Sequence, residues 1–133
     1  MRYSLDTNIL VRLVVGDHPT LSPAAADLVR NNDCHLSVIA LAEMGYVLMS
    51  VYDATIQDVA AGARKLVALP TVEVENAVRV LKAVQAAESG MDWFDAMLWA
   101  AMPNDCTLAT FDRKFANRAA RLQWQPAVQS VLP

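Results

Sequence analysis

Asp6, Glu43, Asp95 and Asp112 come from four separate parts of the chain, each at or near the opening of an expected helix. Carboxylates gathered in this way are the donors that hard divalent cations take. Tyr3 and Leu5 alternate with Ser4 as in a short strand, and Ile9, Leu10, Leu13 and Val14 recur at helical spacing. Asp6 therefore falls at the carboxyl end of a strand, where open α/β sheets place their ligand sites. Asn8 reads as the cap of the helix that follows. Taken alone, Asp6 and Asn8 read equally well as turn and capping residues. The three later acids shift that balance.

Glu43 is a lone acid among Ile39, Ala42, Tyr46, Val47 and Met49, and is either paired with an arginine or recruited to a metal. Asp112 follows the apolar strand Cys106 to Ala109, and Asp95 stands in the opening turn of a helix. Asp92, three residues earlier, shares a helix face with Asp95 or caps that helix at its positive end. Several carboxylates at one edge repel each other unless cations lie between them. No His or Cys cluster favours zinc, so magnesium is the expected ion. Such ions activate water and stabilise the leaving oxygen of a phosphodiester.

The elements needed to position these acids are legible as an alternation. Helices are expected from Ser22 (cap, with Pro23 at the first helical position) to Asn31, from Ile39 to Val51, from Thr55 to about Leu69, from Asn76 to Glu88, from about Met91 onward, and from Arg113 to about Leu122. Strands are expected at Cys34–Val38, Val72–Val74 and Cys106–Ala109, with Val128–Leu132 as an edge strand. Short strands alternating with helices imply an α/β fold: a small parallel sheet of four to five strands flanked by helices on both faces. The 133 residues read as one domain, 1–133, with no linker, repeat or low-complexity tract.

Charged residues make up 19% of the chain and hydrophobic residues 55%, against about 25% charged in a typical domain. That deficit points to exposed apolar surface and hence to an oligomer or a protein partner. No run has the ~18 apolar residues of a membrane span, and the start, Met1-Arg2-Tyr3-Ser4-Leu5-Asp6, lacks the character of a secretory signal. Cys34 and Cys106 are far apart and read as small buried hydrophobes, which fits a reducing cytoplasm. A net charge of −3 argues against a nucleic-acid binder only if charge is uniform. Acids gathered on a metal leave basic residues elsewhere free to meet phosphates.

Leu5-Asp6-Thr7-Asn8-Ile9-Leu10, Leu41-Ala42-Glu43, Asp92-Trp93-Phe94-Asp95-Ala96-Met97-Leu98 and Leu108-Ala109-Thr110-Phe111-Asp112-Arg113-Lys114-Phe115 resemble, in order, the four signature stretches of the PIN domain family. The nearest likeness is to VapC-type toxins of toxin–antitoxin pairs. The resemblance implies a three-layer α/β/α fold and an endoribonuclease dependent on Mg2+ or Mn2+. Asp6, Glu43, Asp95 and Asp112 would be its catalytic and metal-binding quartet, with Thr7, Asn8 and Asp92 in support. It also implies a homodimer silenced by a small antitoxin, for which the helices Ile39–Met49 and Ile56–Leu69 offer surfaces. Departures from the pattern are Arg2 and Ser4 in a strand that is usually apolar, Pro103 shortening the helix before the last acid, and a weak closing strand around Gln123-Trp124-Gln125-Pro126.

Arg113, Lys114 and Arg118 follow the fourth acid, with Arg121 beyond, and form either a phosphate-holding stripe or an ordinary solvated helix face. Of the three tryptophans, Trp99 is expected in the core and Trp93 is the candidate for exposure and base stacking. Competing functions are a nuclease of RNA maturation, a DNA nuclease, a PIN-like protein that binds without cutting, and a phosphatase or dehalogenase of the haloacid dehalogenase type. The last needs an aspartate where Asn8 stands.

Overall fold

The computed structural model describes residues 1–132. Among them, five short strands alternate with seven helices: β1 (Arg2–Ser4), α1 (Thr7–Val15), α2 (Leu21–Asn31), β2 (Asp33–Leu36), α3 (Val38–Val51), α4 (Ile56–Val67), β3 (Val72–Val74), α5 (Ala77–Glu88), α6 (Trp93–Ala100), β4 (Leu108–Thr110), α7 (Arg113–Arg121) and β5 (Val128–Ser130). Every strand pair is parallel, in the α/β architecture expected. Pairing runs β1-β2-β3 with Tyr3 opposite Cys34 and Cys34 opposite Val72, and separately β4-β5 with Ala109 opposite Gln129. The five strands thus form two small sheets rather than the single one expected. Strands of three or four residues leave little backbone for a continuous ladder, and all three positions of β1 are exposed, as its Arg2 and Ser4 foretold.

Helix starts carry most of the local departures. Asp6, not Asn8, caps α1: its carboxylate accepts the Thr7 N–H at 2.8 Å, and an anion there meets the positive end of the helix dipole. Gly16 closes that helix in the left-handed region at φ 70°, returning its N–H to the Arg12 carbonyl. In α2 the cap position belongs to Thr20, whose side chain makes no capping bond. Ser22 instead lies inside the first turn, donating to the Arg12 carbonyl at 3.0 Å and accepting from the His18 N–H at 3.3 Å. Tying α2 to α1 through Ser22 starts the helix earlier than expected, and Pro23 is still harmless there because first-turn N–H groups have no helical partner. Thr55 and Asp58 form the reciprocal capping box of α4.

The core runs under these helices and includes Leu10, Leu36, Leu41, Met44, Val59, Val80, Val84, Met97 and Trp99. Trp99 stacks on Trp124 with ring centroids 3.7 Å apart, and its indole N–H donates to the Pro126 carbonyl at 2.7 Å. Trp93 is only 2% exposed, against the expectation of a surface position. Its indole N–H donates to the Leu41 carbonyl at 3.2 Å, and its ring occupies the space left by Gly45, where a Cβ would come within 2.2 Å of Nε1. This contact seats α6 on α3. Burial of a side chain of that size is worth about 2–3 kcal/mol.

Pro103 does shorten α6, which ends at Ala100. The end is held by Arg79, whose guanidinium donates to the Met102 carbonyl at 2.6 Å and also reaches Asn104. Cys34 is buried as expected, but Cys106 is exposed, because β4 begins only at Leu108 and leaves Cys106 in the preceding turn. No described helix is long and apolar enough to cross a membrane.

Candidate active site

Asp95 is the third residue of α6, and the turn that presents it is fixed by Asp92. Asp92 caps the helix and accepts the Asp95 N–H at 3.0 Å. Asp112, two residues beyond β4, caps α7 in the same manner, accepting the Phe115 N–H at 3.1 Å. Its own N–H donates to Thr110 Oγ1 at 3.0 Å. The Asp95 carboxyl is held above the usual aspartate range, first by burial, then by the charges of Asp92 and of Asp112. The charges of Asp92 and Asp112 thus both reach Asp95.

Asp6 is placed at the junction of β1 and α1, and Thr7 is buried beside it. The bond that Thr7 gives Asp6 comes from its backbone N–H. Asn8 is exposed in the first turn of α1 and makes no cap. Glu43 is exposed in the second turn of α3, on the helix that Trp93 clamps to α6. Next to it, Ala42 shares a shallow apolar hollow with Asp95, Phe94 and Leu98. Because β1, β2 and β3 are parallel, Asp6, the start of α3 and Glu75 share the edge at the strands' carboxyl ends. Glu75 went unread in the sequence although it directly follows an expected strand. Its carboxylate accepts the Val38 N–H at 3.3 Å, clamping the end of β3 to the start of α3.

Oxygen-only donors suit magnesium or manganese. Among the described residues, however, no three His, Cys, Asp or Glu side chains converge in the arrangement of a metal site. The structure thus brings the charges of Asp92 and Asp112 to bear on Asp95, and draws neither these three nor Asp6 and Glu43 into a closed ligand set.

Arg113 and Lys114 are exposed in the first turn of α7, immediately after Asp112. Arg118 lies in its last turn, half-buried, and faces a groove together with Lys82 and Arg121. All three tryptophans are buried, which removes indole stacking on bases from the options; Tyr3, Tyr46, Phe94 and Phe111 are exposed aromatic rings near the acids in sequence.

No curated protein and no solved structure matches the chain. One family model, described as PIN domain, matches residues 3–121, a span that includes all four signature stretches. On that match, and on the parallel α/β framework carrying the acids, the chain belongs to the PIN domain family, whose members are generally nucleases.

Proposed function

We propose that this chain is a metal-dependent endoribonuclease of the VapC type, the toxin of a toxin–antitoxin pair. The observation that carries the reading is the placing of Asp95 and Asp112 at the starts of α6 and α7, where burial first and then the charges of Asp92 and Asp112 hold the Asp95 carboxyl high, beside a helix that opens with Arg113 and Lys114. In this reading Asp95, Asp112, Asp6 and Glu43 hold magnesium or manganese, which when bound activates water and offsets charge at a phosphodiester. Asp92 fixes the turn that carries Asp95, while the Thr7 N–H orients the Asp6 carboxylate and Asn8 stands beside it. Arg113, Lys114 and Arg118 hold the RNA phosphates.

Partners fit the exposed apolar surface. Ile39, Tyr46, Phe94 and Leu98 are exposed on α3 and α6, with Ile39 at 76%, and support a homodimer through that face. A second apolar hollow, lined by Leu13, Val14, Leu66 and Leu69 between α1 and α4, suits an apolar segment of a small antitoxin. The reading places the protein in the cytoplasm.

A second reading, a PIN-like protein that binds without cutting, is favoured by one observation: Asp6 and Glu43 are not in a closed ligand set with Asp95 and Asp112. Expression in a bacterial host separates the two. The toxin reading expects growth arrest with fragmented RNA, relieved by Asp95→Asn and by co-expression of a small protein encoded beside this gene. Normal growth with intact RNA at high levels of folded protein supports the binding reading.

A further inference from the structure

Resting on the nuclease reading, we infer that the groove between α5 and α7 is a second binding position for the single-stranded RNA substrate, outside the acidic centre, that takes a backbone phosphate and its nucleoside. Lys82, Arg118 and Arg121 line a hollow of about 500 Å³ whose wall and floor include Ala86, Met91 and Trp124. None of the three cations forms a salt bridge among the described residues, whereas Arg2, Arg30 and Arg64 each have an acidic partner. In a chain of net charge −3, three unpaired cations around one hollow are a local reversal of sign.

Arg118 is seated by the backbone. Gly90 adopts φ +113°, and a Cβ built there would lie 3.0 Å from one guanidinium nitrogen of Arg118 and 3.3 Å from the other. The φ at this point is one that favours glycine, and without a Cβ there the guanidinium lies close against the chain. Met91 and Trp124 are each 5% exposed, so their contribution to the hollow is a firm apolar surface beneath a sugar.

The groove and the acids share two stretches of chain. Met91 directly precedes Asp92, and Arg118 rides on the helix that Asp112 caps, six residues on and so about 9 Å along the axis. A strand with one phosphate at the acids can therefore reach the groove with a nearby one. An acidic peptide would also meet the cations, but the sharing of the Asp92 turn and of α7 with the acids favours a nucleic-acid strand.

The test is binding of a fluorescent single-stranded RNA of about a dozen nucleotides to the full chain, in chelator so that nothing is cut, over a range of salt. Lys82→Gln combined with Arg121→Gln changes two exposed side chains, and circular dichroism checks the fold. The double variant is expected to weaken binding about tenfold and to reduce the slope of log affinity against log salt by about 1.4, two single-strand phosphate contacts. Unchanged affinity and slope in the folded variant would overturn the inference. So would an acidic peptide whose binding depends on Lys82 and Arg121 when that of RNA does not. Cleavage by the wild type with metal is measured separately, so a failed groove and a failed nuclease reading give different results.

Discussion

The backbone N–H of Asp95 donates to the carboxylate of Asp92 at 3.0 Å, so one acid builds the turn from which the other projects. Beyond burial, Asp92 has the larger effect of the two charges that raise the Asp95 carboxyl. The Asp92 carboxylate thus both caps the helix and burdens its neighbour.

The metal-free protein should be less stable at neutral pH because of Asp95. Its folded-state pKa lies above the ordinary aspartate value, with burial the largest cause. The folded state therefore holds a proton that the unfolded chain has lost, and stability falls as pH rises through the window between the two values. Asp95→Asn removes that loss. In chelator the variant is expected to melt higher than wild type at neutral pH, with the gap closing below the ordinary aspartate range. Equal melting at every pH would remove Asp95 as a burdened group.

Two substitutions at position 92 separate cap from charge. Asp92→Ala should cost about 1 kcal/mol through loss of the cap. Asp92→Asn keeps a capping oxygen and should cost much less, while easing the Asp95 carboxyl back toward its usual range. NMR titration of that carboxyl in the asparagine variant is the measurement; an unmoved titration contradicts the coupling.

Gly45→Ala should be among the more damaging single changes outside the acids. The added methyl would come within 2.2 Å of the Trp93 indole, which must then leave the Leu41 carbonyl or push α6 away from α3. Overpacking of this kind costs about 1–3 kcal/mol, and because α6 carries Asp95, cleavage should fall with it. Urea denaturation followed by tryptophan fluorescence reads the stability change.

Leu98→Glu tests the proposed dimer face. Leu98 is 55% exposed, so the fold should tolerate a charge there. Sedimentation is expected to show dimer for wild type and monomer for the variant; a wild-type monomer would leave the apolar face to another partner.

Much of the framework was legible because short-range chemistry decides it. Thr55 at the opening of its helix, Asp92 before Asp95, and the strand Val72–Val74 all stand where local patterning places them. The misreadings came from tertiary contacts. Ser22 looked like a cap but is consumed by Arg12 and His18, and Trp93 looked peripheral because nothing nearby in sequence announces the gap at Gly45. Cys106 was taken into a strand that begins two residues later. At the site, the sequence could rank the acids as ligands but not say how near they stand. Only the folded chain pairs Asp112 with Asp95, across a strand and a helix start far apart in order.

The most direct test of the central claim is cleavage of a mixed pool of RNAs by purified, antitoxin-free protein, with magnesium, manganese or chelator. The account predicts cutting with either metal, none in chelator, and none by folded Asp95→Asn or Asp6→Asn. Cutting that persists in chelator, or in the Asp95→Asn variant, would contradict it.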